Sequence, residues 1–419
     1  MSYDETIDYL VGLEATRGWD LKLERVRAAL QILGSPERTY PSLLIAGTNG
    51  KGSTAAMVHA ALGAAGKRAG LYTSPHLVNF TERVRVGPAE IARADVVRLV
   101  ERIRAQVDVA GTGLTFFEVT TVLALLAFAE QRVAVAVLEV GLGGRLDATN
   151  VVEPIASAIT AIDFDHEDYL GDTLDAIARE KAGVMRAGRV TVLGAALAPE
   201  ALTALLDEAR RRDAHIVEAS EETELPLALS GGHMRRNAAV ACGLIEAMGA
   251  AEPCLRVDRA AVTRGLREVR WPARLAVVHE DPRVVIDGAH NVQGARALRD
   301  ALPALVGARP VRLLFSALRD KHWREIAAVL APLAREVVVS EVGGKRGLGG
   351  AELASAFAPQ VAPRIIADPA DALARLLAED RTTPILVAGS LFLAGMIYAE
   401  LMARSGTRSV FDYAAGAGA

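Results

Sequence analysis

Lys51 and Ser53, set in Gly47-Thr48-Asn49-Gly50-Lys51-Gly52-Ser53, have the chemistry and spacing to grip a phosphate. Four apolar residues, Leu43 to Ala46, lead into this turn, and an alanine-rich run follows from Thr54 to Ala65. A buried strand feeding such a turn and helix aims backbone N–H groups at an anion. The helix dipole adds its positive end, and the lysine adds a mobile charge. The hydroxyl of Ser53 or Thr54 can hold an accompanying magnesium ion. Gly52, between the lysine and the serine, departs from the general phosphate-loop pattern, so a plain strand-to-helix turn is the competing reading.

Ligands of open parallel sheets bind beyond the carboxyl ends of the strands, so polar residues there carry weight. Ser74, in Tyr72-Thr73-Ser74-Pro75-His76-Leu77, could give a hydroxyl to a metal, although alone the segment reads as a Ser-Pro turn. Glu139 ends the apolar run Val133 to Leu138, before Gly141-Leu142-Gly143-Gly144-Arg145. A buried carboxylate needs a cation or a proton, and either magnesium or Arg145 would serve. Asp165 and His166 follow the run Ile159 to Ile162 and could reach the same place. Lys181, in Glu180-Lys181-Ala182-Gly183, reads on its own as a solvated helix lysine. Further on, Asp287-Gly288-Ala289-His290-Asn291 is another strand-end cluster, suited to a sugar hydroxyl, an amine or a carboxylate. Asn237 and Arg274 fall near the expected interdomain cleft, with helix capping and surface pairing as the plainer reading.

The elements that must position these residues alternate between short β-branched strands and Ala/Leu/Arg helices. Strands are expected at 42–46, 68–71, 133–140, 155–162 and 189–194, and helices at 53–65, 93–107, 119–130, 173–187 and 235–248. This is the pattern of an α/β fold with a parallel sheet covered on both faces. A second alternation starts at 274, with strands at 283–287, 311–317, 335–341 and 384–389 and helices near 292–305, 321–334, 351–357 and 370–379. The domain boundary is placed at 270–275. Gly343 to Gly350 reads as a mobile loop, and the tail from Ser405 as frayed.

A chain of 419 residues suggests two domains, and 51% hydrophobic with 23% charged residues is ordinary for a soluble protein. A net charge of −4 argues against a nucleic-acid coat or an electrostatic membrane anchor. No apolar run reaches the roughly 18 residues that cross a bilayer. The acidic N-terminus, with Ile7, Leu10, Val11 and Leu13 at helical spacing, reads as an amphipathic helix. Cys242 and Cys254 read as small buried residues, and no CxxC or HExxH pair suggests structural zinc. A cytoplasmic enzyme is the expectation.

Taken together the segments resemble the folylpolyglutamate synthase/dihydrofolate synthase family, within the Mur ligase group. The likeness rests on Ala46 to Ser53, Ser74 to Leu77, Thr81-Glu82-Arg83-Val84, Phe117-Glu118, Leu138 to Asn150, Asp165-His166, Glu180 to Gly183 and Asp287 to Asn291. Asp20 to Val26 matches a short folate-loop segment, and Ala388-Gly389-Ser390 fits more loosely. Gly52 belongs to this family's form of the phosphate loop.

The resemblance implies an ATPase domain built on a parallel sheet with a phosphate loop, residues 1–272. A smaller Rossmann-like α/β domain for glutamate, residues 273–419, would follow. Asn49, Gly50, Lys51, Gly52 and Ser53 would hold the ATP phosphates, and Asn237, Arg274 and Asp287 would contact the nucleotide. Ser74 and Glu139 would hold one Mg2+, while His166 and a carbamylated Lys181 would hold a second, reversing the solvated reading of that lysine. Gly18, Trp19, Asp20, Leu21, Thr115, Phe116, Phe117, Glu118, Leu146, Asp147 and Ala148 would line the pterin side. His290 and Ser390 would serve glutamate.

The implied enzyme is a monomer that joins L-glutamate to dihydropteroate, to a reduced folate, or to both, through an acyl phosphate. A peptidoglycan-type Mur ligase, a phosphate-loop kinase and a nucleotide-gated binding module are the alternatives. His233-Met234, Pro272-Ala273-Arg274 and Asn291-Val292 depart from the family pattern without removing a ligating group. Trp19 stands where smaller residues are common.

Overall fold

The computed structural model describes residues 1–17, 22–108, 110–357 and 361–416. The chain forms two units. The first comprises Met1–His76, Phe80–Leu227 and Arg235–Val269, and the second Leu77–Asn79, Ala228–Met234 and Arg270–Ala419. Two short segments that precede the 270–275 boundary thus belong to the second unit.

The first unit carries eight strands: β1 (Ser42–Ala46), β2 (Ala69–Tyr72), β3 (Val84–Val86), β4 (Ala89–Glu90), β5 (Val135–Glu139), β6 (Ala156–Ile159), β7 (Val190–Leu193) and β8 (His215–Glu218). Their order is β4-β3-β2-β5-β1-β6-β7-β8. β1 and β5 are buried along their whole length, as continuous apolar strands in a sheet covered on both faces should be. Ile45 lies opposite Glu139 and Ala46 opposite Ile159. The loops leaving β1, β5 and β6 therefore emerge side by side. The sheet departs from the expected parallel form at one edge, where β3 and β4 run antiparallel.

Helix Lys51–Ala64 follows β1 and is buried from Gly52 to Val58 and at Ala61 and Leu62. Gly265 lies against the Ala60–Ala61 backbone of this helix, where a Cβ would collide. In the N-terminal helix Tyr3–Arg17, Leu10 and Leu13 are buried, but Val11 faces solvent.

The second unit carries β9 (Ala276–Glu280), β10 (Arg283–Ile286), β11 (Val311–Phe315), β12 (Ala334–Val339), β13 (Arg364–Ile365) and β14 (Ile385–Ala388), in the order β13-β12-β11-β14-β10-β9. Among the described strands of this unit only β9 is antiparallel.

Several sequence expectations change. The helix expected at 173–187 ends at Lys181 and tightens into a 3-10 turn, Ala182–Val184. That expected at 93–107 gives way to a π-turn over Arg104–Asp108. The glycine-rich 343–350 loop is anchored by a bridge between Gly347 and Leu318 and by buried Leu348. The tail forms helix Val410–Gly416, with Val410 buried and the Tyr413 hydroxyl donating to the Val278 carbonyl at 3.0 Å. Cys254 is exposed and Cys242 half-buried, both free thiols. Among the described residues no helix is long and apolar enough to cross a membrane.

Candidate functional site

The loop after β1 is shaped by the strand beside it. The Thr160 hydroxyl donates to the Asn49 carbonyl at 2.6 Å, and the Thr48 N–H to the Ala161 carbonyl at 2.6 Å. Gly47 has φ +143° and lies so close to Thr160 that a side chain there would collide. Gly50, at φ +87°, opens helix Lys51–Ala64 and abuts the Asn237 side chain. Asn237 thus sits against the phosphate loop within the first unit. Ser53 and Thr54 are buried in the helix's first turn, while Asn49, Gly50 and Lys51 keep some exposure. A helix N-terminus with short residues at its mouth is suited to an anion.

Two lysines converge on this loop. Lys51 Nζ donates to the carbonyls of Gly47 at 3.0 Å and Thr48 at 3.1 Å. Lys181 Nζ donates to the same Gly47 carbonyl at 3.0 Å. Lys181 is only 4% exposed, which corrects its reading as a solvated helix lysine. Burial pushes its pKa down to about 7, the Lys51 charge pushes the same way, and Asp165 and Asp147 oppose the shift. Moving a charge out of water disfavours the ammonium form, and a second cation adds repulsion.

Close backbone approach explains how Lys181 is seated. A Cβ on Gly144 would meet the carbonyls of Glu180 and Lys181, and one on Gly183 would strike Arg145. Asn150 Nδ2 ties the two strings together, donating to the carbonyls of Arg145 at 3.1 Å and Gly183 at 3.0 Å. Arg145 pairs with Glu180 at 2.8 Å and not with Glu139, so the expected Glu139 partner is engaged elsewhere. Glu139 is buried at the end of β5, and its Oε2 accepts from the Ser74 N–H at 3.1 Å. Asp165 Oδ1 accepts from the His166 N–H at 3.0 Å, and His166 has left-handed backbone angles at φ +55°.

Glu139 and the Ser74 hydroxyl are hard oxygen donors, and a buried carboxylate of this kind fits a magnesium ion. Among the described residues no group of three or more His, Cys, Asp or Glu side chains is arranged to hold a metal.

The candidate pterin-side residues divide. Gly18, Trp19, Asp20 and Leu21 lie outside the described residues. Thr115 and Glu118 cap helix Phe116–Glu130 reciprocally, and Glu118 also pairs with Arg25 at 2.9 Å. Phe117 packs on Tyr72 with ring centres 6.1 Å apart, and it abuts Gly141. Buried Asp147 accepts from the N–H groups of Leu142 at 2.9 Å and Thr149 at 3.0 Å. Burial raises its pKa against those bonds. Ala148 is buried and Leu146 half-buried beside it.

In the second unit, Asp287 follows β10 and accepts from the N–H groups of Leu275 and Ala289, both at 2.8 Å. Arg274 Nη1 donates to the Ala273 carbonyl at 3.1 Å. His290 Nδ1 lies 2.9 Å from the Gly288 carbonyl, and Asn291 caps the next helix through the Gly294 N–H. Ser390 caps helix Leu391–Ser405 by accepting from the Phe392 N–H at 3.1 Å. The Gly389 N–H donates to the Ala289 carbonyl at 3.1 Å, so the loops after β10 and β14 adjoin. Sequence reasoning passed over Thr160, although it stood in a quoted strand-end string, and it passed over Asn150 as the tie between two motifs.

Comparison with known proteins gives a consistent picture. The Mur ligase middle domain matches residues 45–224, and the Mur ligase glutamate ligase domain matches 273–391. The chain is 36% identical to the dihydrofolate synthase/folylpolyglutamate synthase of Mycobacterium tuberculosis, over 82% of this chain and 79% of that protein. It is 37% identical, over 94% of its length, to a probable bifunctional folylpolyglutamate synthase/dihydropteroate synthase of Halobacterium salinarum, but spans only 51% of that longer protein. A bifunctional folylpolyglutamate synthase/dihydrofolate synthase from Yersinia pestis, solved with AMPPNP and Mn ion, superposes with a TM-score of 0.86 at 32% identity. That match covers 96% of this chain and 98% of the other.

Proposed function

Because the chain belongs to the folylpolyglutamate synthase/dihydrofolate synthase family and is an ATP-dependent ligase of the Mur type, we propose that it adds L-glutamate to dihydropteroate and to the γ-carboxylate of tetrahydrofolate. The observation that carries the site assignment is the convergence of Lys51 and Lys181 on the Gly47 carbonyl, beside a helix N-terminus. In this reading Asn49, Gly50, Lys51, Gly52 and Ser53 cradle the ATP phosphates. Asn237, Arg274 and Asp287 serve the nucleotide, and the pterin and glutamate groups fall to the residues named for them above.

The substrate carboxylate attacks the γ-phosphorus, ADP leaves, and an acyl phosphate forms. The glutamate amine then attacks the acyl carbon, and inorganic phosphate departs with the bonding pair. Lys51 exchanges a carbonyl for a phosphate oxygen and offsets the repulsion between two anions. Ser74 and Glu139 would hold one Mg2+ and His166 with Lys181 a second, supplying further charge neutralisation when bound.

A neutral Lys181 amine adds to CO2 and releases a proton to water, giving a carbamate. The charge on Lys51 that disfavours the Lys181 ammonium favours this anion. The enzyme would act as a cytoplasmic monomer on small molecules, without nucleic acid or membrane.

Phosphate release from ATP, magnesium and L-glutamate tests this, with dihydropteroate and tetrahydrofolate supplied separately. Release with both means two activities, and release with tetrahydrofolate alone means chain extension only. No pterin-dependent release from folded, ATP-binding protein refutes the folate assignment and turns attention to Mur-type substrates.

A further inference from the structure

Arg83 closes the 3-10 turn Phe80–Arg83 just before β3, and only 6% of it is exposed. Its Nε donates to His76 Nδ1 at 2.8 Å, and its guanidinium carbon lies 5.1 Å from the centre of the Phe116 ring. Among the described residues no carboxylate forms an ion pair with it, and neither Nη atom has an acceptor. Those Nη atoms are not sealed either, because they are not among the fully buried polar atoms left without a partner. Tyr72, Glu14, Glu82 and Glu139 act on the cation through space, without an ion pair.

A buried cation without a counter-charge costs several kcal/mol. Arg25 shows the usual remedy, a 2.9 Å pair with Glu118. Arg83 has no such partner among the described residues, yet its orientation is fixed. The partner nitrogen of His76 is an acceptor, so the imidazole is neutral with its proton on Nε2. The result is a guanidinium held by its stem side, with Nη donors that are not fully sealed and an aromatic ring against it. Such a fork matches a carboxylate in two parallel bonds.

We infer that Arg83 receives the carboxylate of the acid substrate, with His76 as the residue that positions it. This rests on the ligase reading above. The same chemistry could serve a nucleotide phosphate, but the Phe116 ring against this group suits a flat organic acid, and the phosphate loop already has Lys51 and Lys181.

Equilibrium binding to the full chain tests the assignment, with dihydropteroate, its neutral carboxamide and AMPPNP as probes. The native protein should prefer the acid over the amide by about 10- to 100-fold, the range of a charge-assisted hydrogen bond. Arg83→Gln should abolish that preference and leave AMPPNP affinity unchanged. Arg83→Lys, which keeps the charge without the fork, should retain part of the preference, and it replaces the glutamine variant if that one fails to fold. Full preference for the acid in either variant overturns the inference. So does weakened AMPPNP binding with the acid preference intact, which would assign Arg83 to the nucleotide. Native protein that binds AMPPNP but neither pterin overturns the folate reading itself, and Arg83's role with it.

Discussion

The carboxyl ends of the two sheets use polar residues in opposite ways. Beyond β1 and β5 the side chains are charged and meet the loop backbone, Lys181 and Glu139 from buried positions and Lys51 from a half-buried one. Lys51 and Lys181 share the Gly47 carbonyl, and Glu139 takes the Ser74 N–H. Beyond β10 and β14 the polar side chains build the loops themselves. Asp287 satisfies two N–H groups, while Asn291 and Ser390 each cap a helix. A strand-end position therefore marks a polar residue as interesting without saying whether it does chemistry or holds a loop. The distinction lies in how much of its hydrogen-bonding capacity the fold already uses.

The sharpest way to break this contrast is Lys51→Ala. Lys51 is itself half-buried and bonds only two loop carbonyls, so the fold should survive and the melting temperature should change little. Turnover should fall by about a thousandfold or more, as when a preorganised charge is removed from a phosphoryl-transfer site. An active variant would mean that the first sheet's lysine is as structural as Asp287.

Lys181 gives the next largest effect. With a folded pKa of about 7 against an ordinary 10.5, its neutral fraction grows as pH rises through 7. Carbamate formation and activity should rise over the same window. The unfolded chain binds more protons than the unmodified folded one between those two values. The unmodified protein should therefore gain stability as pH rises from about 7 toward 10.5. Enzyme stripped of CO2 should lose activity and recover it with bicarbonate, and Lys181→Ala should respond to added short carboxylates. Activity that is indifferent to bicarbonate sinks the carbamate.

The legible parts of the molecule were those with local causes. Continuous apolar runs at 43–46 and 133–138 reported buried parallel strands, because only full burial on both faces tolerates them. The edge pair β3–β4 was missed because Arg85, Glu90 and the turn between them carry no such signal. Lys181 was misread because its burial is a long-range fact. The space that encloses it depends on Gly144 and Gly183 letting two distant backbones touch, and spacing along one helix cannot report that. Arg83 was legible only as part of a string, since its lack of a carboxylate partner belongs to the packed structure.

In the second unit, Asp287→Ala should act on stability before chemistry. It strips acceptors from the Leu275 and Ala289 N–H groups at a site only 5% exposed. A buried N–H left unmet costs about 1–3 kcal/mol, so urea unfolding should shift by at least that much. Unchanged stability with a raised KM for ATP would instead make nucleotide binding the main role of Asp287 and erase the contrast.

Ser390→Ala is the finest test. The hydroxyl is 2% exposed and accepts from the Phe392 and Leu393 N–H groups at 3.1 and 3.5 Å, which is ordinary capping geometry. Losing a cap costs about 1 kcal/mol. A hydroxyl bonded this way still has a proton to donate and can meet a carboxylate without releasing the cap. A purely structural serine gives the stability loss with an unchanged KM for L-glutamate. A serine that also touches substrate raises that KM while the KM for ATP stays put, and Ser390→Thr, which keeps both functions of the hydroxyl, restores it. The first outcome leaves the second sheet's end as framework, and the second shows one side chain there doing both jobs through different atoms of the same group.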